Sequence, residues 1–268
     1  MAVIALQSGA SGLSALNTQL DVIANNLANV NTTGFKASRA NFQDLLYIER
    51  AQPGVENANG DRRPTGLYVG LGVKVSGTQQ AFVQGAPLAT ERELDVMVEG
   101  QGFFQVAIEP DISDGIAYTR AGNFSTNEDG DLVLASDEGR YIEPRINIPP
   151  DALAVSISSD GRVEVLLPGA TEPAEVGQLE LATFVNPAGL KQIGETLWIE
   201  SAASGPPIVG NPAEENRGRI LQGFLENSNV DPTRELIELI RTQRAFEMNS
   251  QVIRTADETL QTVSQLRQ

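Results

Sequence analysis

The first thirty residues place apolar side chains at heptad spacing and carry one charged side chain, Asp21. This pattern predicts a helix on the order of 40 Å long with an apolar seam along one side. Residues 31–34 predict its end, because Gly34 suits the left-handed position that follows a helix. The predicted seam consists of Leu6, Leu13, Leu16, Leu20, Ile23, Leu27 and Val30.

The C-terminal forty residues carry a second heptad pattern. Asp231 followed by Pro232 predicts the start of a helix, with an aspartate cap and proline in the first turn. We expect this helix to run to about Leu266, roughly 50 Å. Leu236, Ile240 and Val252 widen its apolar stripe, and charged residues indicate which sides of the helix face solvent. The predicted seam consists of Leu239, Phe246, Ile253 and Leu260.

Between these helices, from Leu67 to about Trp198, the pattern changes to short β-branched and apolar runs separated by Gly, Asp and Pro. The Asp-Gly pairs at 129–130 and 160–161 predict hairpin turns. The sequence therefore predicts an α+β chain with an all-β domain inserted between two long terminal helices. The expected domains are a helical polymerisation domain (residues 1–46 and 222–268), an extended connector (47–75) and an all-β outer domain (76–221).

The near absence of charge on the N-terminal helix indicates that it is buried on most sides. A single chain offers it only one other helix, which leaves much of its surface without a partner. We therefore expect the terminal helices to meet their equivalents on other copies of the chain. A contact between two different surfaces that does not close gives a helical filament.

Composition argues against several functions. The 268 residues include no Cys and no His, which removes the usual nucleophiles, imidazole bases and zinc ligands. A formal charge of -16 repels nucleic acid and acidic membranes. No run approaches the roughly 20 apolar residues of a membrane span, and the N-terminus lacks the basic region of a secretory signal. We expect no enzymatic activity, no cofactor, no metal, no nucleic acid and no membrane insertion.

Two local patterns have alternative interpretations. The acidic turn at residues 127–131 could bind calcium, but it lacks the spacing of an EF-hand loop, and a β-turn is favoured. The neighbouring carboxylates Glu91 and Glu93 could serve hydrolysis of a carbohydrate in the periplasm. That function is the alternative from another class, and a charged strand edge is the favoured interpretation of these two residues.

Two sets of polar residues also permit two interpretations each. The amides of Asn25, Asn26 and Asn29 are either solvated helix caps or hydrogen-bonding groups that fix the register between copies. The polar stretch from Gln52 to Thr65 is either a plain linker or a segment that packs on neighbouring subunits. Its candidate packing residues are Gln52, Pro53, Gly54, Pro64 and Gly66.

Stretches at both ends of the chain resemble motifs of the flagellar basal-body rod and hook family. Residues 25–36 resemble the N-terminal motif of that family, and residues 228–231 with 243–250 resemble its C-terminal motif. In the middle, residues 52–54, 64–73, 99–106 and 178–190 resemble the members of this family that build the distal rod. The resemblance covers essentially the whole chain.

This resemblance implies a structural subunit of a tubular rod that transmits torque from motor to hook. The terminal helices would form the inner wall as a coaxial, coiled-coil-like pair, with the β domain outside. The subunit would pass through the flagellar type III export apparatus without a cleaved signal peptide. It would polymerise with itself across the periplasm to the outer membrane. The implied partners are proximal-rod proteins, the hook protein, and the P-ring and L-ring proteins. A proximal-rod role is the alternative within the family.

Overall fold

The computed structural model describes residues 2–55, 64–109, 115–169 and 172–265. The chain divides into two compact units, each assembled from separate stretches of sequence. The first, which we call the helical unit, comprises Met1–Ala28, Ser38–Gln80 and Asp231–Gln268. The second, which we call the β unit, comprises Asn29–Ala37 and Ala81–Val230. The prediction of an α+β chain with terminal helices and a β-rich middle is confirmed.

Two long helices lie at the ends of the chain: α1 spans Ala2–Ala28 and α2 spans Pro232–Gln265. The predicted cap of α2 is confirmed, because Asp231 Oδ1 accepts the N–H groups of Thr233 (3.0 Å) and Arg234 (3.3 Å). The predicted end of α1 at Val30 is wrong by two residues. A turn replaces the last helical residues, closed by the Thr32 N–H donating to the Asn29 carbonyl at 3.2 Å.

The described residues form twenty strands between the helices. The strands are β1 (Ser38–Asp44), β2 (Tyr47–Ala51), β3 (Leu67–Gly70), β4 (Val73–Gln80), β5 (Pro87–Ala89), β6 (Val96–Glu99), β7 (Phe103–Ala107), β8 (Ile116–Thr119), β9 (Phe124–Thr126), β10 (Leu132–Leu134), β11 (Ile142–Glu143), β12 (Ala154–Ile157), β13 (Arg162–Leu166), β14 (Ala174–Gln178), β15 (Leu181–Thr183), β16 (Lys191–Gly194), β17 (Leu197–Ile199), β18 (Ile208–Gly210), β19 (Arg219–Gln222) and β20 (Phe224–Glu226).

The helical unit contains two antiparallel strand pairs beside the helices, β1 with β4 and β2 with β3. Two serines of α1 tie that helix to the strands. Ser8 Oγ donates to the Gly70 carbonyl (3.4 Å), and Ser11 Oγ accepts the Val73 N–H (3.3 Å). The stretch predicted as an extended connector thus contains the β2–β3 hairpin and the start of β4. Sequence reasoning missed β2, because its residues show no clear alternation of apolar and polar side chains.

The β unit is organised around one seven-stranded sheet, in the order β16-β17-β8-β7-β15-β18, with β11 also paired to β7. A three-stranded sheet, β12-β13-β14, and the pairs β9–β10, β6–β19 and β5–β20 complete it. The two predicted hairpin turns are confirmed between β9 and β10 and between β12 and β13. Gly130 (φ +83°) and Gly161 (φ +89°) supply the left-handed backbone that those turns need.

Two apolar clusters form the core of the β unit. The larger one is aliphatic, with Phe104 and Phe124 in edge-to-face contact at 5.1 Å between ring centroids. The smaller one is aromatic and includes Phe103, Phe184 and Trp198. Trp198 is the single tryptophan of the chain and is 1 % exposed, so its fluorescence reports on the packing of the β unit.

Side-chain and backbone hydrogen bonds join the first segment of the β unit, and the start of its second, to its C-terminal residues. Asn229 Oδ1 accepts the Ala37 N–H at 2.7 Å, and Asn229 Nδ2 donates to the Ala81 carbonyl at 2.7 Å. The Gly34 N–H donates to the Glu226 carbonyl at 2.8 Å. Asn229, near the last residue of the β unit, therefore links the end of its first segment, Ala37, to the start of its second, Ala81.

Candidate assembly surfaces

The two helices of the helical unit contact one another in antiparallel orientation. Near the start of α1, Asn249 Nδ2 donates to the Gly9 carbonyl at 2.9 Å. Near its end, Asn26 Nδ2 donates to Glu235 Oε1 at 3.3 Å. A Cβ added at Gly9 would lie 2.8 Å from Cγ1 of Ile253, so the glycine permits the close approach of the two backbones.

The residues of the two predicted seams are mostly half-buried within the single chain. Ile23 alone among them is buried, and Val30 lies beyond the end of α1. The seams therefore keep part of their apolar surface exposed to solvent, and their role in self-assembly stays a prediction. The half-buried seam residues are Leu6, Leu13, Leu16, Leu20, Leu27, Val30, Leu239, Phe246, Ile253 and Leu260.

The side chain of Asn26 forms hydrogen bonds within its own chain, and the predicted amide contacts between copies stay a prediction. This residue is 2 % exposed. Its Nδ2 donates to the Ser38 carbonyl at 2.8 Å, and its Oδ1 accepts the Ser38 N–H at 2.9 Å. Asn26 therefore ties α1 to the start of β1. Asn25 is exposed on α1, and Asn29 Oδ1 accepts the hydroxyl of Thr32 at 3.1 Å.

Large apolar side chains remain exposed on α2. Met248 is 63 % exposed and Val252 is 52 % exposed; each lies about 100° around the helix from the residue that follows it, Asn249 or Ile253, which faces α1. Sequence reasoning merged several of these residues with the seam, because both sets follow three- and four-residue spacing. The exposed apolar residues of α2 are Leu236, Ile237, Ile240, Met248 and Val252.

A second exposed apolar surface lies on the β2–β3 hairpin and the turn before it. Leu46 is 83 % exposed, and Tyr47 and Tyr68 are each more than half exposed. The proposed packing residues lie at the loop end of this hairpin, after β2 and before β3. Gln52, Pro53, Gly54 and Pro64 are exposed and Gly66 is half-buried, whereas residues 56–63 of the same stretch lie outside the described residues.

A cluster of buried charges stabilises the β unit. Lys36 Nζ donates to Glu226 Oε1 at 2.5 Å and to the Val83 carbonyl at 2.9 Å. Arg120 Nη1 lies 3.6 Å from Glu226 Oε2, so one carboxylate faces two cations. Burial lowers the pKa of Lys36 from its ordinary value, and Glu226 opposes that shift. Burial likewise lowers the pKa of Arg120, again against the attraction of Glu226.

The other two candidate sites, the carboxylate pair for hydrolysis and the acidic turn for calcium, are not formed in the part of the chain that the structure describes. Glu93 Oε2 accepts the Val155 N–H at 3.1 Å, while Glu91 is exposed in a left-handed conformation. The Asn127 side chain accepts the N–H groups of Asp129 and Asp131, as a β-turn requires. Among the described residues no group of three metal-binding side chains occurs, and no helix has the length and apolar character for crossing a bilayer.

The helical unit is built from both ends of the chain and leaves apolar side chains exposed on α2 and on the β2–β3 hairpin. Such surfaces are typical of the class of proteins that function through contacts with other chains. Three family models match this chain. Residues 6–36 match "Flagella basal body rod protein", and residues 97–165 match "Flagellar hook protein FlgE/F/G D1 domain". Residues 221–266 match "Flagellar basal body rod FlgEFG protein C-terminal".

Curated relatives extend this likeness to the whole chain. The chain is 46% identical to the flagellar basal-body rod protein FlgG of Caulobacter vibrioides, over 98% of this chain and 99% of the relative. It is 40% identical to FlgG of Bacillus subtilis, over 98% of each chain. It is 32% identical to the rod protein FlgF of C. vibrioides, over 91% of this chain and 89% of the relative. The chain therefore belongs to the family of flagellar basal-body rod proteins.

Proposed function

We propose that this chain is a structural subunit of the flagellar distal rod, which assembles into a helical tube and transmits torque from motor to hook. The observation that carries the proposal is likeness to FlgG proteins along nearly the full length of both chains. Within C. vibrioides, identity to FlgG (46%) exceeds identity to FlgF (32%), which favours the FlgG role. A proximal-rod subunit is the alternative within the same family.

The terminal helices are proposed to form the wall of the tube as a coaxial, coiled-coil-like pair. The antiparallel contact near Gly9 and Asn26 supports such a pair. The half-buried seams and the exposed residues of α2 leave apolar surface that a neighbouring copy would bury. Each apolar side chain buried in this way contributes about 1.5–3 kcal/mol when its burial is complete. Each copy offers several such side chains, so contacts of this kind would stabilise a polymer of these helices.

Leu13→Asp and Leu27→Asp test this arrangement. Each places a charge in a half-buried seam, which costs several kcal/mol, so we expect polymerisation of the purified protein to be abolished. Leu153→Asp is the matched control, because Leu153 is 67 % exposed in the β unit. Trp198 fluorescence should stay native in all three variants. Polymers of normal length from the Leu13→Asp variant would contradict the proposal.

The β2–β3 hairpin is proposed to pack on adjacent subunits and stiffen the rod. Its exposed Leu46, Tyr47 and Tyr68 give it an apolar surface suited to such packing. Deletion of residues 52–62 should leave the β unit folded and should change rod stiffness or length. Electron microscopy of isolated basal bodies measures both properties. Rods of unchanged length and straightness in the deletion variant would count against this role.

The proposed place of the subunit is the periplasmic part of the basal body, reaching to the outer membrane. Export through the flagellar type III apparatus would deliver it there. The proposed neighbours are proximal-rod proteins below, the hook protein above, and the P-ring and L-ring proteins around it. Tomography of basal bodies that carry a tagged copy would locate the subunit, and a tag confined to the base of the rod would favour the proximal alternative.

A further inference from the structure

One side of α2 carries exposed apolar residues and Arg244, a cation with no ion-pair partner among the residues that the structure describes. We call it the outer face of α2; it consists of Ile237, Ile240, Arg244, Met248 and Val252. Their three- and four-residue spacing places them on one side of the helix. The opposite side carries Thr242, which is buried, and the residues that contact Gly9. The outer face therefore lies away from α1 of the same chain.

Arg244 is the residue of this face that most constrains its partner. It is exposed and forms no hydrogen bond or ion pair within the described residues. The neighbouring Arg241, in contrast, pairs with Glu238 at 2.8 Å. A contact that buried the apolar residues around Arg244 would remove water from its guanidinium group. Such a contact is favourable only when it brings a carboxylate to that group.

A suitable carboxylate occurs on α1. Asp21 is the single formally charged side chain of that helix. It is exposed and has no ion-pair partner among the residues that the structure describes. Short side chains surround it on the same side of the helix, so a second helix can approach closely. Its exposed neighbours three and four residues away are Asn17, Ala24 and Asn25, and the exposed residues that continue the same side are Ala10, Ser14 and Ala28.

We propose that the outer face of α2 in one copy packs against the Asp21 side of α1 in a neighbouring copy, with Asp21 pairing with Arg244 across the contact. The proposal rests on the self-assembly proposed above and identifies the surfaces that carry it. Both halves of the contact are complementary in size and charge. Because the two faces differ, a bound pair of copies keeps one free face of each kind, and the contact propagates as an open polymer.

A charge exchange tests the pairing directly. Asp21→Arg and Arg244→Glu each bring like charges together, so each should raise the protein concentration needed for polymerisation by about tenfold or more. Combined in one chain, the two substitutions restore opposite charges in exchanged positions. The double variant should polymerise within about threefold of the unchanged protein, since exposed pairs tolerate small changes in geometry.

A matched control separates the specific pair from net charge. Arg254 is also exposed on α2, ten residues further along and roughly a quarter-turn around the helix. Arg254→Glu changes the net charge as Arg244→Glu does. Combining Arg254→Glu with Asp21→Arg should therefore give no rescue. Equal rescue by the two double variants would overturn the pairing.

Chemical crosslinking gives an independent readout, because the chain contains no Cys. A variant with both Asp21→Cys and Arg244→Cys, treated with a short thiol-reactive crosslinker, should give a ladder of covalent oligomers. Each single-Cys variant should stop at the dimer or below. If the unchanged protein polymerises but the charge variants behave normally and no ladder forms, this contact is wrong and the proposed function stands. If the unchanged protein forms no polymer in any condition, both are wrong.

Discussion

Glu226 balances two buried cations of the β unit, Lys36 and Arg120, with one carboxylate. Lys36 precedes it by 190 positions and belongs to the other end of the β unit. The sequence shows both residues, but nothing in their spacing predicts that they meet, because the contact depends on the pairing of β5 with β20. The same limit applies to Asn26 and Asn229, because no motif indicates their backbone partners or the contact of Asn26 with the Glu235 side chain.

Replacing Glu226 by Gln should strongly destabilise the β unit. The change leaves the charges of Lys36 and Arg120 buried without an anion, which costs about 3–5 kcal/mol of unfolding free energy. Glu99→Gln is the control, because Glu99 pairs with Arg219 at the surface, where such pairs contribute about 1 kcal/mol or less. Urea unfolding followed by Trp198 fluorescence measures both. Equal effects of the two substitutions would refute the importance of the buried cluster.

At the scale of elements, heptad spacing predicted the two helices and Asp-Gly pairs predicted two hairpins, because these signals are local. β1 and β2 were missed, since their order comes from pairing with β4 and β3 rather than from their own pattern. The exposed side of α2 was also missed. Its apolar residues follow the same spacing as the seam, and only the position of α1 tells the two sides apart.

The contact between α1 and α2 predicts a pH dependence at Glu235. Its pKa is raised, mainly by burial, with further increases from Glu238 and Asp231 and an opposing hydrogen bond from Asn26. A carboxyl with a raised pKa in the folded chain binds its proton more readily there than when unfolded. The helix pair should therefore gain stability as pH falls through the folded pKa toward the ordinary value of 4.5.

Glu235→Gln removes this titrating group while keeping an acceptor for the Asn26 amide. As pH falls, the unchanged protein should gain stability relative to the variant. The helix signal in circular dichroism during thermal unfolding measures the stability of both proteins. A carbon-13 titration that placed the pKa of Glu235 at or below 4.5 would contradict this prediction.

At the scale of the whole molecule, charge is divided unequally between the two units. The helical unit has ten Lys and Arg against eleven Asp and Glu, a formal charge of −1. The β unit has nine against 24, a formal charge of −15. A nearly neutral unit suits close packing between copies, whereas the acidic unit makes copies repel one another. Self-assembly would then be a balance between contacts of the helical units and repulsion of the β units.

This balance predicts that salt promotes assembly. Raising salt from about 0.1 M to about 1 M shortens the screening length from about 10 Å to about 3 Å, so the protein concentration needed for polymerisation should fall. A variant with Glu128→Gln, Asp151→Asn and Glu214→Gln removes three exposed charges of the β unit and should respond less to salt. Sedimentation across a salt series measures both responses. An identical dependence in the two proteins would show that repulsion of the β units is not the cause.

The central claim is that surfaces at both ends of this chain find their partners on other copies. Electron microscopy of the purified full-length protein, concentrated at moderate salt, tests it most directly. We predict straight tubes with helical order, in which reconstruction places α1 and α2 in the wall. A protein that stays monomeric at every concentration, with both helices unpartnered by other copies, would contradict this account.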